Sequence, residues 1–355
     1  MPPHAVGVDL GGTNLKAALV DRDAGLVAQT RRPTEADRGP AHVMQRIAAC
    51  VAEMMDAAPD DAVAGIGIGA PGAVSWDRST VSKPPNFADW DTVNLRDGLQ
   101  ARLDTTLPVV VENDANVAAL GSAYYGAGTT PESFIMVTLG TGVGGGIIYQ
   151  NKIFRGSTGG AGEIGHMTID HEGPYARSGV GGAIEAYLGQ EFLTDHARDR
   201  LINFPESDVP ALVDGDLSQL SPRVLHQAAT EGDAFAQEML AWAGHKLGCV
   251  LGAAVNLLDI RTIVVGGGVS AAGDYILATA ALCRPRPSRR PADSPGDSGQ
   301  RGKPPGGRPA CPGGRPGAGR HPVALVARSA CGTSSCPLRT APQRRPPSPT
   351  VCPLV

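Results

Sequence analysis

Two segments of this chain place glycines directly between two apolar runs. The first run, residues 5–10, ends at Gly11 and Gly12, and further apolar runs follow at hairpin spacing. The second run, residues 133–142, turns into the apolar residues 143–150, and five of the nine residues from 138 to 146 are glycine. Short apolar runs joined by glycine turns predict β-hairpins. We therefore expect two α/β units that open with the same strand–turn–strand motif.

The remaining patterns predict helices and buried strands around these hairpins. Residues 40–57 repeat apolar side chains at helical spacing, and residues 233–258 do so behind Asp233, a helix-capping residue. The buried face of the longer helix is predicted to contain Phe235, Met239, Leu247, Val250 and Leu257. The other predicted elements are buried strands at 62–70, 107–113 and 261–268, a helix at 115–125 capped by Asp114, and a polar loop at 75–91.

This order of elements predicts an α/β protein of two lobes with a cleft between them. The predicted boundaries are an N-terminal lobe over 1–117, a C-terminal lobe over 118–282 and a tail over 283–355. Charge divides the chain at the same place. Residues 1–282 hold 18 basic and 33 acidic side chains, a formal charge of −15, whereas the tail carries +11.

The acidic charge of the two lobes argues against nucleic acid or an anionic membrane as a partner. No apolar run approaches the ~20 residues of a membrane span. The N-terminus lacks the basic and apolar regions of a secretory signal, so we expect a cytoplasmic protein. The lobes contain only Cys50 and Cys249, which cannot form a disulfide framework or a thiolate metal site and are expected to fill the core.

The tail differs from the lobes in composition. It contains 16 prolines, 12 arginines and no apolar periodicity, which predicts disorder. The change is abrupt, because residues 276–283 have the pattern of an ordinary helix. Pro, Arg, Gly, Ala, Ser and Cys are also the residues that a GC-rich gene encodes out of frame. We therefore expect a shifted reading frame for residues 283–355, and a natural disordered tail is the alternative.

Both glycine turns have features of phosphate-binding loops. In the first, Asp9-Leu-Gly-Gly-Thr-Asn-Leu-Lys16, glycine allows close backbone approach, Thr13 adds a hydroxyl donor, and Asp9 is placed to hold Mg²⁺ directly or through water. An ordinary tight hairpin is the alternative. The second turn contains more glycine than turning requires, and because glycine costs conformational entropy, a phosphate nest explains it better. Neither turn has the P-loop or dinucleotide-binding spacing.

Polar residues that suit a sugar accompany these turns. Glu112-Asn113-Asp114 ends a predicted strand, where a carboxylate would lie in the cleft and accept a proton from a substrate hydroxyl. A plain helix cap is the alternative. Donors and acceptors for vicinal hydroxyl groups come from Asn113, Glu163, His166 and Glu185, although a lone histidine is more often structural. The strand at 261–268 ends in Gly266, Gly267 and Gly268, whose lack of side chains would let an adenine or ribose lie against the backbone.

From Val6 to about Asp274 the sequence resembles the ROK family of sugar kinases and repressors, which has the two-lobed actin-like ATPase (ribonuclease H-like) fold. The most specific part is LGTGVGGGII…FRGSTGGAGEIGH, residues 139–166. The resemblance implies ATP- and Mg²⁺-dependent phosphorylation of a hexose, usually at the 6-hydroxyl, with Asp114 as catalytic base. The implied sugar-binding residues are Asn86, Asn113, Asp114, Glu163, His166 and Glu185. The implied nucleotide-binding residues are Asp9, Gly11, Gly12, Thr13, Lys16, Thr138, Gly140, Thr141, Gly142, Gly266, Gly267 and Gly268.

One departure from the family concerns zinc. Many members follow the histidine with a zinc-binding motif of three cysteines, but Ala176, Ser178 and Ala183 stand at those positions here. Structural zinc needs about four nitrogen or sulfur ligands, so we expect a zinc-free protein. The histidine would then serve the sugar alone, and packing around Tyr175 and Val180 would replace the metal.

The resemblance leaves several functions open. A glucokinase is expected first, but a kinase for fructose, mannose or an N-acyl hexosamine would share every motif, and polyphosphate could replace ATP. A family repressor needs a helix-turn-helix before the first glycine turn, where only eight residues precede Asp9. A non-catalytic sugar-binding protein is the third alternative, because the family's closing strand and helices have no counterpart in the tail. The oligomeric state usual in the family further implies a homodimer or homotetramer.

Overall fold

Two five-stranded sheets, each opened by one of the glycine hairpins, form the frame of the molecule. The computed structural model describes residues 3–60, 62–87, 89–282 and 324–327. The first half consists of β1 His4–Leu10, β2 Asn14–Asp21, β3 Gly25–Pro33, α1 Pro40–Asp56, β4 Val63–Ala70, β5 Ala73–Val74, β6 Thr80–Ser82, β7 Thr92–Asn94, α2 Leu95–Leu103, β8 Val109–Asn113 and α3 Asp114–Tyr125.

The second half repeats this plan. It consists of β9 Phe134–Leu139, β10 Val143–Tyr149, β11 Lys152–Ile153, α4 Glu185–Leu188, α5 Gln190–Leu201, α6 Pro222–Glu231, α7 Ala234–Leu258, β12 Thr262–Gly266, α8 Asp274–Leu282 and β13 Ala324–Ala327. The strand orders are β3-β2-β1-β4-β8 and β11-β10-β9-β12-β13, so each sheet joins an antiparallel hairpin to two parallel strands. The predicted α/β class and both hairpins are confirmed.

Each sheet has its own apolar core. Helix α1 buries Val43, Ile47, Val51 and Met54 against the first sheet, as its periodicity predicts. Helix α7 begins after Asp233, whose Oδ1 accepts from the Ala236 N–H at 2.7 Å, and it buries Phe235, Met239, Leu247 and Val250. Full burial of such side chains contributes about 1.5–3 kcal/mol each. These contacts hold the helices on the sheets and leave the strand ends free for the turns.

Helix α3 follows the first sheet in sequence but packs against the second. Ala119 on α3 lies in one apolar cluster with Phe134, Met136, Ile148 and Val264. The helix thereby covers the face of the second sheet opposite α7. The predicted boundary at 117 falls inside this helix and stays a prediction.

Several local predictions are wrong, each for a structural reason. Leu257 is 79% exposed because the inward stripe of α7 continues through Ala254, Val255 and Leu258. Cys249 is exposed on the same helix, whereas Cys50 is buried. The segment 75–91 is not a plain loop.

A small sheet of order β5-β6-β7 encloses that segment, and its middle strand, β6, lies within it. Val81 is buried, and Phe87 packs its ring on Trp90 with centroids 4.9 Å apart. These apolar residues stand singly among polar ones, so their sequence shows no strand periodicity. The packing of a few large side chains is what gives this segment its structure.

The tail is predicted to be disordered, and this is wrong for one strand. Ala324–Ala327 pairs in parallel with β12, from Thr262 opposite Ala324 to Val265 opposite Ala327. The strand comes from a short apolar run among prolines and arginines. Helix α8 confirms the helix predicted from residue 276 to the start of the tail. The remainder of 283–355 lies outside the described residues. Within the described ranges, no helix is long and apolar enough to cross a bilayer.

Candidate active site

The first glycine turn is fixed by one buried threonine. Thr34 directly follows β3 and is fully buried. Its hydroxyl donates to the carbonyl oxygen of Gly11 at 2.5 Å, and its N–H donates to the carbonyl oxygen of Thr13 at 2.9 Å. The N–H of Gly11 donates to the carbonyl oxygen of Asn14 at 3.1 Å. No sequence motif indicates Thr34, yet it determines the path of the turn.

Charged and polar side chains surround this turn. Asp9 and Lys16 face each other across β1 and β2, with Nζ of Lys16 2.7 Å from Oδ2 of Asp9 and both side chains 55% exposed. A Cβ added at Gly12 would lie 3.1 Å from the Cβ of Asn86, which places that asparagine beside the turn. Carboxylate oxygens are the ligands that Mg²⁺ prefers, so Asp9 fits the predicted metal role.

The second glycine turn is shaped by close approach of other backbone. The N–H of Gly140 donates to the carbonyl oxygen of Gly142 at 2.9 Å. A Cβ at Gly144 would lie 2.6 Å from the hydroxyl oxygen of Thr138, and one at Gly146 would lie 2.9 Å from the carbonyl oxygen of Ala115. Packing against α3 therefore accounts for part of the glycine excess. Gly140, with no heavy atom within 4 Å of its added Cβ, remains open to a ligand.

Glu185 connects the second turn to the predicted sugar-binding residues. It begins α4, and its Oε2 accepts from the N–H of Val143 at 3.1 Å. A Cβ at Gly142 would collide with the same carboxylate oxygen. The carboxylate of Glu185 therefore lies directly against Gly142, and a side chain there would have to displace it.

Asp114 begins helix α3 at the end of β8. The structure corrects its predicted capping role, because Oδ1 of Asn113 accepts from the N–H groups of Ala115 and Asn116 at 2.9 and 3.2 Å. Asp114 accepts from the N–H of Ala115 at 2.8 Å. Burial raises the pKa of Asp114 above its usual value, and the negative charge of Asp9 raises it further. Asp114 is therefore within electrostatic reach of the first turn.

Glu163 and His166 come from the second half of the molecule, in the segment between β11 and α4. The Nε2 of His166 is 3.7 Å from Oε2 of Glu163. Burial raises the pKa of Glu163; the nearby His166 opposes this shift, and the charges of Asp114 and Glu185 add to it. The pKa of Glu163 therefore responds to the charges of His166, Asp114 and Glu185, which lie within electrostatic range of it. That these four side chains form one sugar-binding site stays a prediction.

The third glycine cluster lies beside the second turn. Gly266 stands opposite Thr138 in the pairing of β12 with β9. Gly267 has φ +91°, and a Cβ there would collide with the carbonyl oxygen of Leu139. A Cβ at Gly268 would meet nothing within 4 Å. The predicted adenosine-binding glycines therefore adjoin the predicted phosphate-binding turn.

The residues at the family's zinc positions do not fit a zinc ion. Ala176 and Ala183 are buried and offer no ligand atom, and Ser178 is exposed. The segment is held by backbone pairing instead, with bridges between Thr168 and Ala183 and between Tyr175 and Gly181. The side chain of Tyr175 is 73% exposed, so the packing role predicted for it is wrong. The absence of zinc stays a prediction.

Comparison with known proteins decides the family. Residues 5–291 match the ROK family. The chain belongs to this family. The glucokinase of Thermotoga maritima is 31% identical over 271 residues, covering 76% of this chain and 84% of the relative. The glucokinase of Streptomyces coelicolor is 36% identical over 278 residues, covering 77% and 84%.

Solved structures of ROK proteins agree with this assignment. A ROK family glucokinase from Streptomyces griseus, in complex with glucose and AMPPNP, is similar with a TM-score of 0.68 and 34% identity. The similarity covers 79% of this chain and 88% of that one. The predicted family and fold are confirmed, while the ROK match ends at residue 291 and does not extend over the rest of the tail. The role of each site residue stays a prediction.

Proposed function

We propose that this chain is an ATP-dependent hexokinase that converts ATP and D-glucose to ADP and glucose 6-phosphate. The observation that carries the proposal is Asp114, a carboxylate with raised pKa whose charge interacts with Asp9 of the first turn and with Glu163. Phosphorylation of a hydroxyl needs a base between a sugar site and a phosphate site. ROK relatives named glucokinase, at 31% and 36% identity, support glucose as the sugar.

Each part of the site has a proposed role. The phosphates are bound by Gly11, Gly12, Thr13, Lys16, Thr138, Gly140, Thr141 and Gly142. The adenosine lies against Gly266, Gly267 and Gly268. The sugar hydroxyl groups are bound by Asn86, Asn113, Glu163, His166 and Glu185. Asn113 uses its Oδ1 for the helix cap, and one N–H of its Nδ2 donates to the carbonyl oxygen of Gly72 at 3.5 Å, so the second N–H is the donor for a sugar oxygen.

The proposed reaction depends on positioning and on one proton transfer. Asp114 accepts the proton of the 6-hydroxyl as that oxygen forms its bond to the terminal phosphorus of ATP and the bond to ADP breaks. A raised pKa suits this role, since an ionised aspartate with a higher pKa is a stronger base. Asp9 is the residue that would hold Mg²⁺, and the ion would neutralise phosphate charge when bound. Because ATP is a cytoplasmic substrate, we place the reaction in the cytoplasm.

The test is a coupled ADP-release assay with a panel of donors and sugars. Glucose is compared with fructose, mannose and an N-acyl hexosamine, each with ATP and with polyphosphate. We expect the highest kcat/KM for ATP with glucose, and no turnover after Mg²⁺ is removed. Sugar binding without ADP release would identify a non-catalytic sugar-binding protein and contradict the proposal. Light scattering of the same sample measures whether the proposed enzyme is a homodimer or homotetramer.

A further inference from the structure

A buried ion cluster lies directly behind Asp114. Glu112 on β8 is 5% exposed, and its Oε1 accepts from the N–H of Asn113 at 2.9 Å and from Nδ2 of Asn116 at 3.1 Å. Its Oε2 faces Nε of Arg155 at 3.0 Å and Nε of Arg78 at 3.3 Å. Glu112 therefore does not face a substrate. It joins the strand that carries the proposed base to two arginines.

Arg155 reaches this cluster from the other half of the molecule. It follows β11 of the second sheet, yet the hydrogen-bond and ion-pair partners of its side chain among the described residues are Ser75, Trp76 and Glu112 of the first half. The side chain is almost completely buried, with the residue 7% exposed. The guanidinium donates to the carbonyl oxygens of Ser75 at 3.0 Å and Trp76 at 2.8 Å. It also lies over the Trp76 ring, 5.2 Å from the centroid. The planar guanidinium has five donors and can bind several fixed acceptors at once, whereas the ammonium group of lysine cannot match this geometry.

The backbone of Arg155 holds the segment that leads to the sugar-binding residues. Its carbonyl oxygen accepts from the N–H of Gly159 at 3.1 Å and from that of Ala161 at 3.2 Å. A Cβ at Gly159 would lie 3.0 Å from the carbonyl oxygen of Val74, so this turn also touches the first half directly. One residue thus docks on the first half through its side chain and shapes the 156–161 turn through its carbonyl.

We propose that Arg155 is a positioning residue that sets the distance between the sugar-binding residues Glu163 and His166 and the base Asp114. The expected change in kinetics rests on the proposed function. The expected effect of Arg155 on the position of the 156–161 turn does not depend on that function. Arg155 touches none of the residues proposed to bind the nucleotide. Its loss should therefore affect the sugar far more than ATP.

The test compares Arg155→Gln with Arg78→Gln. Both variants remove one positive charge from the same cluster and leave Glu112 with one arginine, but only Arg155→Gln breaks the contact between the halves. Since misplacement by about 1 Å can cost ~10²-fold, we expect the glucose kcat/KM of Arg155→Gln to fall about 10- to 100-fold, with the ATP KM within about twofold of the parent. Arg78→Gln should change the glucose kcat/KM less. Equal effects of the two substitutions, or a parallel loss for both substrates, would overturn the inference.

A second measurement is independent of activity. Hydrogen exchange of the amides at 159 and 161 should become faster in Arg155→Gln than in Arg78→Gln, and equal exchange would also overturn the inference. If the turn loosens as expected while the parent protein phosphorylates no sugar, the proposed function alone fails. Should Arg155→Gln not fold, Arg155→Lys compared with Arg78→Lys keeps both charges, removes the planar donors and gives a matched comparison.

Discussion

The two halves of the candidate site are built by different means. In the first half, side chains carry the chemistry, with Asp9 and Lys16 exposed beside a short turn and Asp114 at the start of α3. In the second half, close packing of glycine backbone shapes the site. A Cβ at Gly145 would collide with the carbonyl oxygen of Gly162, and one at Gly142 with Glu185. Substitutions of the first-half side chains Asp114 and Lys16 should therefore cost activity, and substitutions of the close-packed second-half glycines should cost structure.

The largest effect is expected from Asp114→Asn. The variant keeps the shape and the bond from the Ala115 N–H but cannot accept the proton, so kcat should fall by roughly 10²–10⁴-fold. Glucose KM should change little, because the amide still binds a hydroxyl group. The coupled ADP-release assay measures both constants. A kcat near that of the parent would move the role of base to Glu163.

Gly145→Ala should have the largest structural effect. Its Cβ would meet the Gly162 carbonyl oxygen and two carbons of Ile164 at 3.0 and 3.1 Å, and such overpacking costs about 1–3 kcal/mol of the free energy of unfolding. Gly7→Ala is the matched control, because Gly7 is a strand glycine of the first hairpin with no heavy atom within 4 Å of the added Cβ. Urea unfolding compares the two. Equal stability of the variants would contradict the distinction between the halves.

The sequence predicts regular elements well because their signals are local. The hairpins, α1 and the start of α7 follow from apolar periodicity and a capping aspartate. The choice between Asn113 and Asp114 as the cap of α3 is different, because both residues can cap a helix and the end of β8 decides between them. The predicted burial of Leu257 is wrong for a similar reason. Which residues of the last turn of α7 face the core depends on the elements that pack against that turn.

The site is predictable where a motif carries it and not where distant contacts do. The motifs predict a sugar-binding set that includes Glu163, His166 and Glu185, and the pKa of Glu163 responds to the charges of His166, Glu185 and Asp114. Arg155 stands inside the family's signature stretch, but its partners at 75, 76 and 112 are far away in sequence. The role of Thr34 likewise depends on hydrogen bonds to Gly11 and Thr13, which lie more than 20 residues earlier. No short pattern marks either residue.

A smaller effect is expected in how the melting temperature depends on pH, because Asp114 is predicted to serve the reaction at a cost in folding stability. Burial raises the pKa of Asp114 in the folded protein, so the folded state holds this proton more tightly than the unfolded chain. The resulting loss of stability appears as pH rises from the unfolded value through the raised one and is absent in acid. We expect Asp114→Asn to melt at a higher temperature than the parent near pH 7, with the difference vanishing toward about pH 4. Thermal melts across this range measure it, and a lower Tm for the variant at neutral pH would contradict it.

The smallest structural effect is expected at the exposed pair of Asp9 and Lys16. Surface ion pairs contribute about 0–1 kcal/mol, so Lys16→Met should barely change the free energy of unfolding. Its ATP KM should rise, because a positive charge beside the proposed phosphate site is lost. Arg32→Met is the control, since the side chain of Arg32 pairs with Glu53 of α1 at 2.6 Å and is 42% exposed, a similar exposed ion pair that does not involve Asp9. It should lose as little stability and leave the ATP KM unchanged. If both variants raise the ATP KM equally, Lys16 has no specific role at the first turn, and the chemistry of that half would rest on Asp9 and Asp114 alone.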